Sequence, residues 1–315
     1  MSNPPSFEDL FERPESYPND EAREQLGRLV GVDAYKDRLA KMLSLLVNPA
    51  GLKEWADDHH DGAWPYVRDI LRRPPLVVLA GDVGSGKTEL ASTIGDAVAR
   101  REDIDVTLLP LSLSARGQGR VGEMTQLVSA AFDYAFDEAQ KLKPHGPDAP
   151  ATGAVILLID EADALAQSRE AAQMHHEDRA GVNALIRGVD RLAAARLPAA
   201  VVMCTNRLSA LDPAVRRRAA DVLAFGRPTA EQRRAVLGPV LGALGFGGLL
   251  IDEVVEVTGP TDDREHGLTF SDITQRLLPA IVLDAYPAKA VSSARVLDLA
   301  TATTPTPPFN DTLTR

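Results

Sequence analysis

Leu76-Val77-Val78-Leu79-Ala80-Gly81-Asp82-Val83-Gly84-Ser85-Gly86-Lys87-Thr88-Glu89 is the stretch that decides the fold. Its first five residues are apolar and read as a buried strand. Gly81 to Thr88 match the pattern G-x-x-x-x-G-K-[ST] of a phosphate-binding loop. Residues 88–100, TELASTIGDAVAR, follow with helical spacing, and strand–loop–helix is the context this chemistry needs. Glycines let the backbone curl around an anion with no Cβ in the way. Successive N–H groups and the helix N-terminus then face the phosphates. Lys87 places a charge at the β- and γ-phosphates, and Thr88 offers a hydroxyl to Mg²⁺.

Working outward, four more apolar runs repeat the strand pattern: Val106–Leu111, Ala154–Ile159, Ala199–Cys204 and Asp221–Phe225. They are nearly continuous in apolar residues, as in strands buried on both faces of a parallel sheet. The segments Glu123–Leu142 and His176–Ala194 place apolar residues three and four apart, on one helical face. Strands alternating with helices predict a three-layer αβα domain with a parallel sheet and right-handed crossovers.

The run Val155-Ile156-Leu157-Leu158-Ile159 ends in Asp160-Glu161. Ligands of a parallel sheet sit beyond the carboxyl ends of its strands. Asp160 is therefore expected to hold Mg²⁺ together with Thr88, and Glu161 to polarise the attacking water. Asn206, after the run Ala199–Thr205, is a candidate for orienting that water.

After Gly226-Arg227-Pro228 the pattern is helical only. Thr229 and Gln232 predict a capping box opening one helix. A second helix is expected from Ser271 to about Ala285, capped by Thr269 or Ser271 and disturbed by Pro279. The reading divides the chain into an acidic, Pro-rich leader (1–25), a large nucleotide-binding domain (26–225), a helical lid (226–302) and a disordered Thr/Pro-rich tail (303–315).

Composition removes other classes. A net charge of −11 leaves no basic surplus to displace the counterions of nucleic acid or to hold an anionic membrane. The longest apolar stretch, Val236 to Ile251, contains five Gly and one Pro and is too short to span a bilayer. A single cysteine, Cys204, forms no internal disulfide and fits a reducing, cytoplasmic setting.

Together, the loop at 81–88, Leu157-Leu158-Ile159-Asp160-Glu161, Thr205-Asn206-Arg207 and Leu211-Asp212-Pro213-Ala214-Val215-Arg216-Arg217-Arg218 resemble the AAA+ ATPases. That resemblance implies ATP hydrolysis with Mg²⁺ and a ring, usually a homo-hexamer. It also implies an arginine finger acting on the neighbouring subunit's nucleotide, Arg218 or next Arg217. Val30-Gly31 resembles the adenine-contacting segment, and Arg276 stands where a lid arginine would meet the γ-phosphate. Gly81 through Glu89, including Asp82, Val83, Ser85 and Gly86, are the implied phosphate-binding residues.

A narrower similarity lies in HHEDRAGVNALIRGVD (175–190), RRRAADVLAFGRP (216–228) and GLTFSDITQRLLP (267–279). These resemble the pachytene-checkpoint-type remodellers. The resemblance implies a HORMA-domain protein as partner. It also implies kinship with bacterial members that accompany nucleotide cyclases in cyclic-oligonucleotide anti-phage (CBASS) systems.

The implied pore loop is Arg120-Val121-Gly122, with arginine where the family usually carries an aromatic. With only about 25 residues before the ATPase fold, direct engagement of substrate is expected rather than an N-terminal adaptor domain. The alternatives are a nucleic-acid-associated motor of clamp-loader or initiator type, and a nucleotide-gated scaffold with little turnover.

Overall fold

The structure is a computed structural model. It describes residues 6–48, 50–61, 64–67, 73–111, 123–144, 151–163, 176–208, 211–262 and 264–308. The chain divides into two compact units. One is formed by residues 1–27, 34–80 and 88–223, the other by 28–33, 81–87 and 224–315.

The first unit begins with α1 (Phe7–Leu10), β1 (Glu15–Tyr17), α2 (Asp20–Arg28), α3 (Asp33–Val47), α4 (Ala50–His59) and α5 (Trp64–Val67). It continues through β2 (Leu76–Gly81), α6 (Lys87–Glu102), β3 (Asp105–Leu111), α7 (Glu123–Lys141), β4 (Gly153–Ile159), α8 (His176–Ala195), β5 (Ala199–Thr205), α9 (Pro213–Arg216) and β6 (Ala219–Phe225), the end residues Arg28, Asp33, Gly81, Lys87, Ala224 and Phe225 of these elements being counted in the other unit. The sheet order is β1-β3-β4-β5-β2-β6. Parallel pairing joins β3 to β4, β4 to β5 and β5 to β2, with Leu157 opposite Val201 and Val78 opposite Met203.

Burial explains the near-continuous apolar runs. Every residue of β4 and β5 is buried. Val78, Leu109, Leu157 and Val201 share one core cluster with Val128 and Phe132 of α7 and Leu185 and Val189 of α8. Their sequence neighbours Val77, Leu108, Ile156 and Val202 are equally buried and point to the opposite face of the sheet. A sheet covered on both sides is the three-layer arrangement expected from the sequence.

The N-terminal leader, read as a segment apart from the large nucleotide-binding domain, joins its sheet. Glu15–Tyr17 pairs antiparallel with Val106–Leu108, so the sheet is mixed rather than all-parallel. Tyr17 is 2% exposed, and the Asn19 amide donates to Asp96 Oδ1 of α6 at 2.8 Å. A buried aromatic and satisfied strand amides outweigh the acidic, Pro-rich character that suggested a separate leader.

In the second unit, Thr229 caps α10 (Ala230–Ala243) through the expected box with Gln232. α11 (Gly248–Val257), α12 (Leu278–Ala285) and α13 (Ser293–Ala302) follow. Leu237, Leu241, Val254, Ile273, Leu277, Ile281 and Val296 form their common core. Thr269, rather than Ser271, caps the stretch leading to α12: its Oγ1 accepts from the Asp272 amide, and Asp272 Oδ2 accepts from the Thr269 amide. Residues Asp272–Leu277 then form a wide π turn. The Leu278 amide bonds to the carbonyl of Ile273, five residues back. Pro279 has no amide to donate and would clash in a regular helix; the widened turn accommodates it.

Residues 303–308, read as the start of a disordered tail, have a defined course. The Thr306 amide and hydroxyl donate to the two Asp272 carboxylate oxygens at 2.9 and 2.7 Å. Among the described residues no helix is long and apolar enough to cross a membrane.

Candidate active site

The phosphate loop, residues 81–87, belongs to the second unit. Gly84 has φ +73°, and a Cβ there would lie 2.7 Å from Ser271 Cβ and 2.9 Å from Thr269 Oγ1. The Ser271 amide also donates to the Gly84 carbonyl at 3.1 Å. Gly81 packs so tightly that a Cβ would fall 1.9 Å from the Phe225 carbonyl oxygen. Both positions therefore require glycine on steric grounds as well as conformational ones.

Lys87 is 5% exposed. Its Nζ donates to the Gly81 carbonyl at 2.9 Å, the Asp82 carbonyl at 2.8 Å and Ser85 Oγ at 3.3 Å. The ammonium thus has three oxygen partners inside the curl of the loop. Val83 is exposed at the loop's tip.

In the first unit, Thr88 and Glu89 open α6 and both are exposed. Thr88 Oγ1 lies 3.3 Å from Asp160 Oδ1. The same Oδ1 accepts the Glu161 amide at 2.8 Å. Glu161 is held at φ +49°, a left-handed conformation that non-glycine residues seldom adopt. The next amide, that of Ala162, bonds the Cys204 carbonyl at 2.9 Å. Anchors on both sides therefore fix the turn that presents the exposed Glu161 carboxylate. Strain held by its surroundings in this way is typical of functional positions.

Asn206 is organised by a residue the sequence reading did not single out. Asp163 Oδ1 accepts the amides of Asn206 and Arg207, both at 3.1 Å, and the Thr205 hydroxyl bonds the same oxygen. The Asn206 side-chain amide donates to Asp163 Oδ2 at 3.4 Å. The available signal was a third carboxylate two positions after Glu161, at a strand end where amides need acceptors.

The arginine candidates differ sharply. Arg218 forms a two-pronged pair with Asp190 of α8, Nε to Oδ1 at 2.7 Å and Nη2 to Oδ2 at 2.9 Å. Arg217 closes α9 with its side chain exposed. Arg276 donates to Asp272 Oδ1 at 2.8 Å and to the Thr304 carbonyl at 3.0 Å. Val30 is half-buried, and the Gly31 carbonyl accepts from Gln232 Nε2 at 2.5 Å. The pore-loop residues Arg120, Val121 and Gly122 lie outside the described residues.

Comparison with known proteins places this geometry. The sequence profile described as "ATPase family associated with various cellular activities (AAA)" matches residues 77–227. CD-NTase-associated protein 6 of Escherichia coli (strain MS 115-1) is 63% identical over 99% of this chain and 99% of its own. The chain belongs to the AAA ATPase family.

Two solved structures extend the likeness to nearly the full length of the AAA ATPase chain. One is described as a HORMA:CdnC:Trip13 complex from E. coli MS115-1; it matches with TM-score 0.89 and 63% identity, over 97% of this chain and 99% of that one. The other, a Rhizobiales Trip13, matches with TM-score 0.75 and 54% identity, over 95% of this chain and 100% of that one. The AAA ATPase identity makes the activity ATP hydrolysis. The pair Thr88 and Asp160 supplies hard oxygen donors, the ligand type Mg²⁺ takes.

Proposed function

We propose that this AAA ATPase is a ring motor, a homo-hexamer in its working form, that uses ATP hydrolysis to remodel a HORMA-domain protein in a bacterial anti-phage signalling system. One observation carries the reading: similarity over nearly the full length to CD-NTase-associated protein 6 and to the chain solved with HORMA and CdnC.

In this reading the phosphate loop amides and Lys87 hold the triphosphate. Thr88 and Asp160 are the residues that would hold Mg²⁺, which when bound supplies positive charge to the phosphate oxygens. Glu161 accepts a proton from water as the water oxygen bonds the γ-phosphorus. The bond from that phosphorus to the bridging oxygen breaks, leaving ADP and phosphate. Asn206, fixed by Asp163, orients the water. Val30 and Gly31 flank the adenine.

An arginine from the neighbouring subunit neutralises charge on the transferred phosphoryl group. Arg217 is favoured for that role, because Arg218 is engaged by its own Asp190. Arg276 acts on the γ-phosphate only where it leaves Asp272. Residues 120–122 grip the partner, Arg120 through its stem and its charge.

The test mixes the full chain, ATP and a HORMA-domain protein from the same genome. Hydrolysis should accelerate, the HORMA protein should be released from its bound form, and Glu161→Gln should give an ATP-dependent complex that does not turn over. A chain that stays monomeric at saturating nucleotide, and hydrolyses ATP at an undiminished rate indifferent to HORMA protein, sinks the reading.

A further inference from the structure

We infer that Arg227 is a positioning residue for the phosphate loop and that the C-terminal strap, residues 303–306, holds Arg227 in place, so that strap docking tunes nucleotide affinity. The inference rests on the reading of residues 81–88 as the nucleotide site.

The guanidinium of Arg227 makes three hydrogen bonds to three separate segments. Nε donates to Asp82 Oδ2 at 2.8 Å, Nη1 to the Gly267 carbonyl at 2.7 Å and Nη2 to the Thr306 carbonyl at 2.7 Å. The Arg227 side chain is 13% exposed and that of Asp82 25%. Charge-assisted bonds in such partly dry surroundings are among the stronger ones. Asp82 is the second residue of the loop, and its carbonyl is one of the oxygens that receive Lys87 Nζ. Arg227 therefore fixes, through one side chain, the residue whose main chain fixes the loop lysine.

The strap has its own anchors. The Thr303 carbonyl accepts from Arg264 Nη1 at 3.4 Å, the Thr304 carbonyl from Arg276 Nη1 at 3.0 Å, and Thr306 donates twice to Asp272. Three arginines, each from a different part of the unit, thus converge on three carbonyls within four consecutive residues, those of Thr303, Thr304 and Thr306. Arg227 alone of these three also reaches the phosphate loop. A planar fork is what this geometry uses, and an ammonium cannot reproduce it.

Binding of a fluorescent (mant) ADP to full-length variants tests this, well below each variant's unfolding temperature and alongside nucleotide-free thermal unfolding. Arg227→Met should weaken binding about ten-fold, the equivalent of one charge-assisted hydrogen bond. Arg227→Lys should recover only part of the loss. Asp82→Asn should weaken binding too, and the double variant should be no worse than Arg227→Met alone. A chain ending after Ala302 should also bind more weakly, and Asp82→Asn should add little to it.

Wild-type affinity in Arg227→Met and in the shortened chain, or losses that multiply between Arg227→Met and Asp82→Asn, would overturn the inference. If Arg227→Met does not fold, the nearly isosteric Asp82→Asn combined with the shortened chain carries the same comparison. Failure of the wild-type chain to bind mant-ADP would instead overturn the nucleotide reading itself.

Discussion

Thr88 Oγ1 lies 3.3 Å from Asp160 Oδ1, joining the first turn of α6 to the end of β4 through two hard oxygens. Removing the Thr88 hydroxyl or the Asp160 negative charge should cripple metal-dependent turnover while the loop amides and Lys87 still bind ADP. Thr88→Ala and Asp160→Asn are expected to lower kcat at least about 100-fold, the scale of removing one electrostatic contributor. Mant-ADP binding in EDTA should stay within a few-fold of wild type. Steady-state hydrolysis over a Mg²⁺ titration checks both.

Glu161 sits at φ +49°. A left-handed non-glycine residue costs about 1–2 kcal/mol, part of which glycine gives back through its own chain entropy. Glu161→Gly should therefore stabilise the unit by about 0.5–1 kcal/mol while losing hydrolysis. Glu161→Gln should lose hydrolysis with no gain. Urea unfolding and hydrolysis assays on the two variants separate backbone strain from carboxylate chemistry.

Asp163 and Asn206 should behave differently although they touch. Asp163→Ala removes the acceptor for the Asn206 amide, while the Arg207 amide keeps Thr205 Oγ1 at 3.1 Å, and an orphaned amide costs about 1–3 kcal/mol when buried. Both stability and kcat should fall. Asn206→Ala should reduce kcat with a nearly unchanged melting temperature. Equal losses of stability in both would contradict this division.

Arg217 and Arg218 are adjacent, yet only Arg218 is paired with Asp190. Arg217→Ala should suppress ATP hydrolysis in the assembled protein and spare nucleotide binding by each subunit. Asp190→Asn should mimic Arg218→Ala if that pair is a structural one. Mixing Arg217→Ala with Glu161→Gln subunits should restore activity only at interfaces that combine an intact arginine with an intact glutamate.

Asp272 couples the second unit to pH. Burial by itself would raise its pKa, but the hydrogen bonds from Thr269 and Thr306 outweigh burial and bring it down to about 2. The unfolded value is about 3.9. A depressed folded value gives stability that is complete above the unfolded pKa and is lost as pH falls from about 4 to about 2. The amount is roughly 2.5 kcal/mol for a shift of this size. Urea unfolding monitored between pH 5 and pH 2 should show that loss, and Asp272→Asn should flatten it while being weaker at pH 7.

The central strands β2, β4 and β5 were legible because they are buried on both faces and so read as unbroken apolar runs; Ala199–Cys204 needed only Thr205 to complete β5. The loop at 81–88 and the pair Asp160-Glu161 stood out because the chemistry proposed for them demands fixed residue types at fixed spacing. What escaped depends on long-range partners. Glu15–Tyr17 is too short and polar to announce a strand, and becomes one only against Val106–Leu108. Asp163, Arg227 and Asp272 look like ordinary surface charges until the fold brings backbone amides and carbonyls to them. α11 was hidden because its first turn lies in a Gly-rich apolar stretch, although Ile251, Val254 and Val255 are buried and Asp252, Glu253 and Glu256 exposed.

The pairing of β1 with β3 has a practical corollary. An uncovered strand edge is a template on which further chains assemble, and β1 stands between the β3 ladder and that fate. A recombinant version trimmed to start at the phosphate loop's own strand would bare the β3 ladder and tend toward fibrous precipitate, whatever the integrity of its catalytic groups.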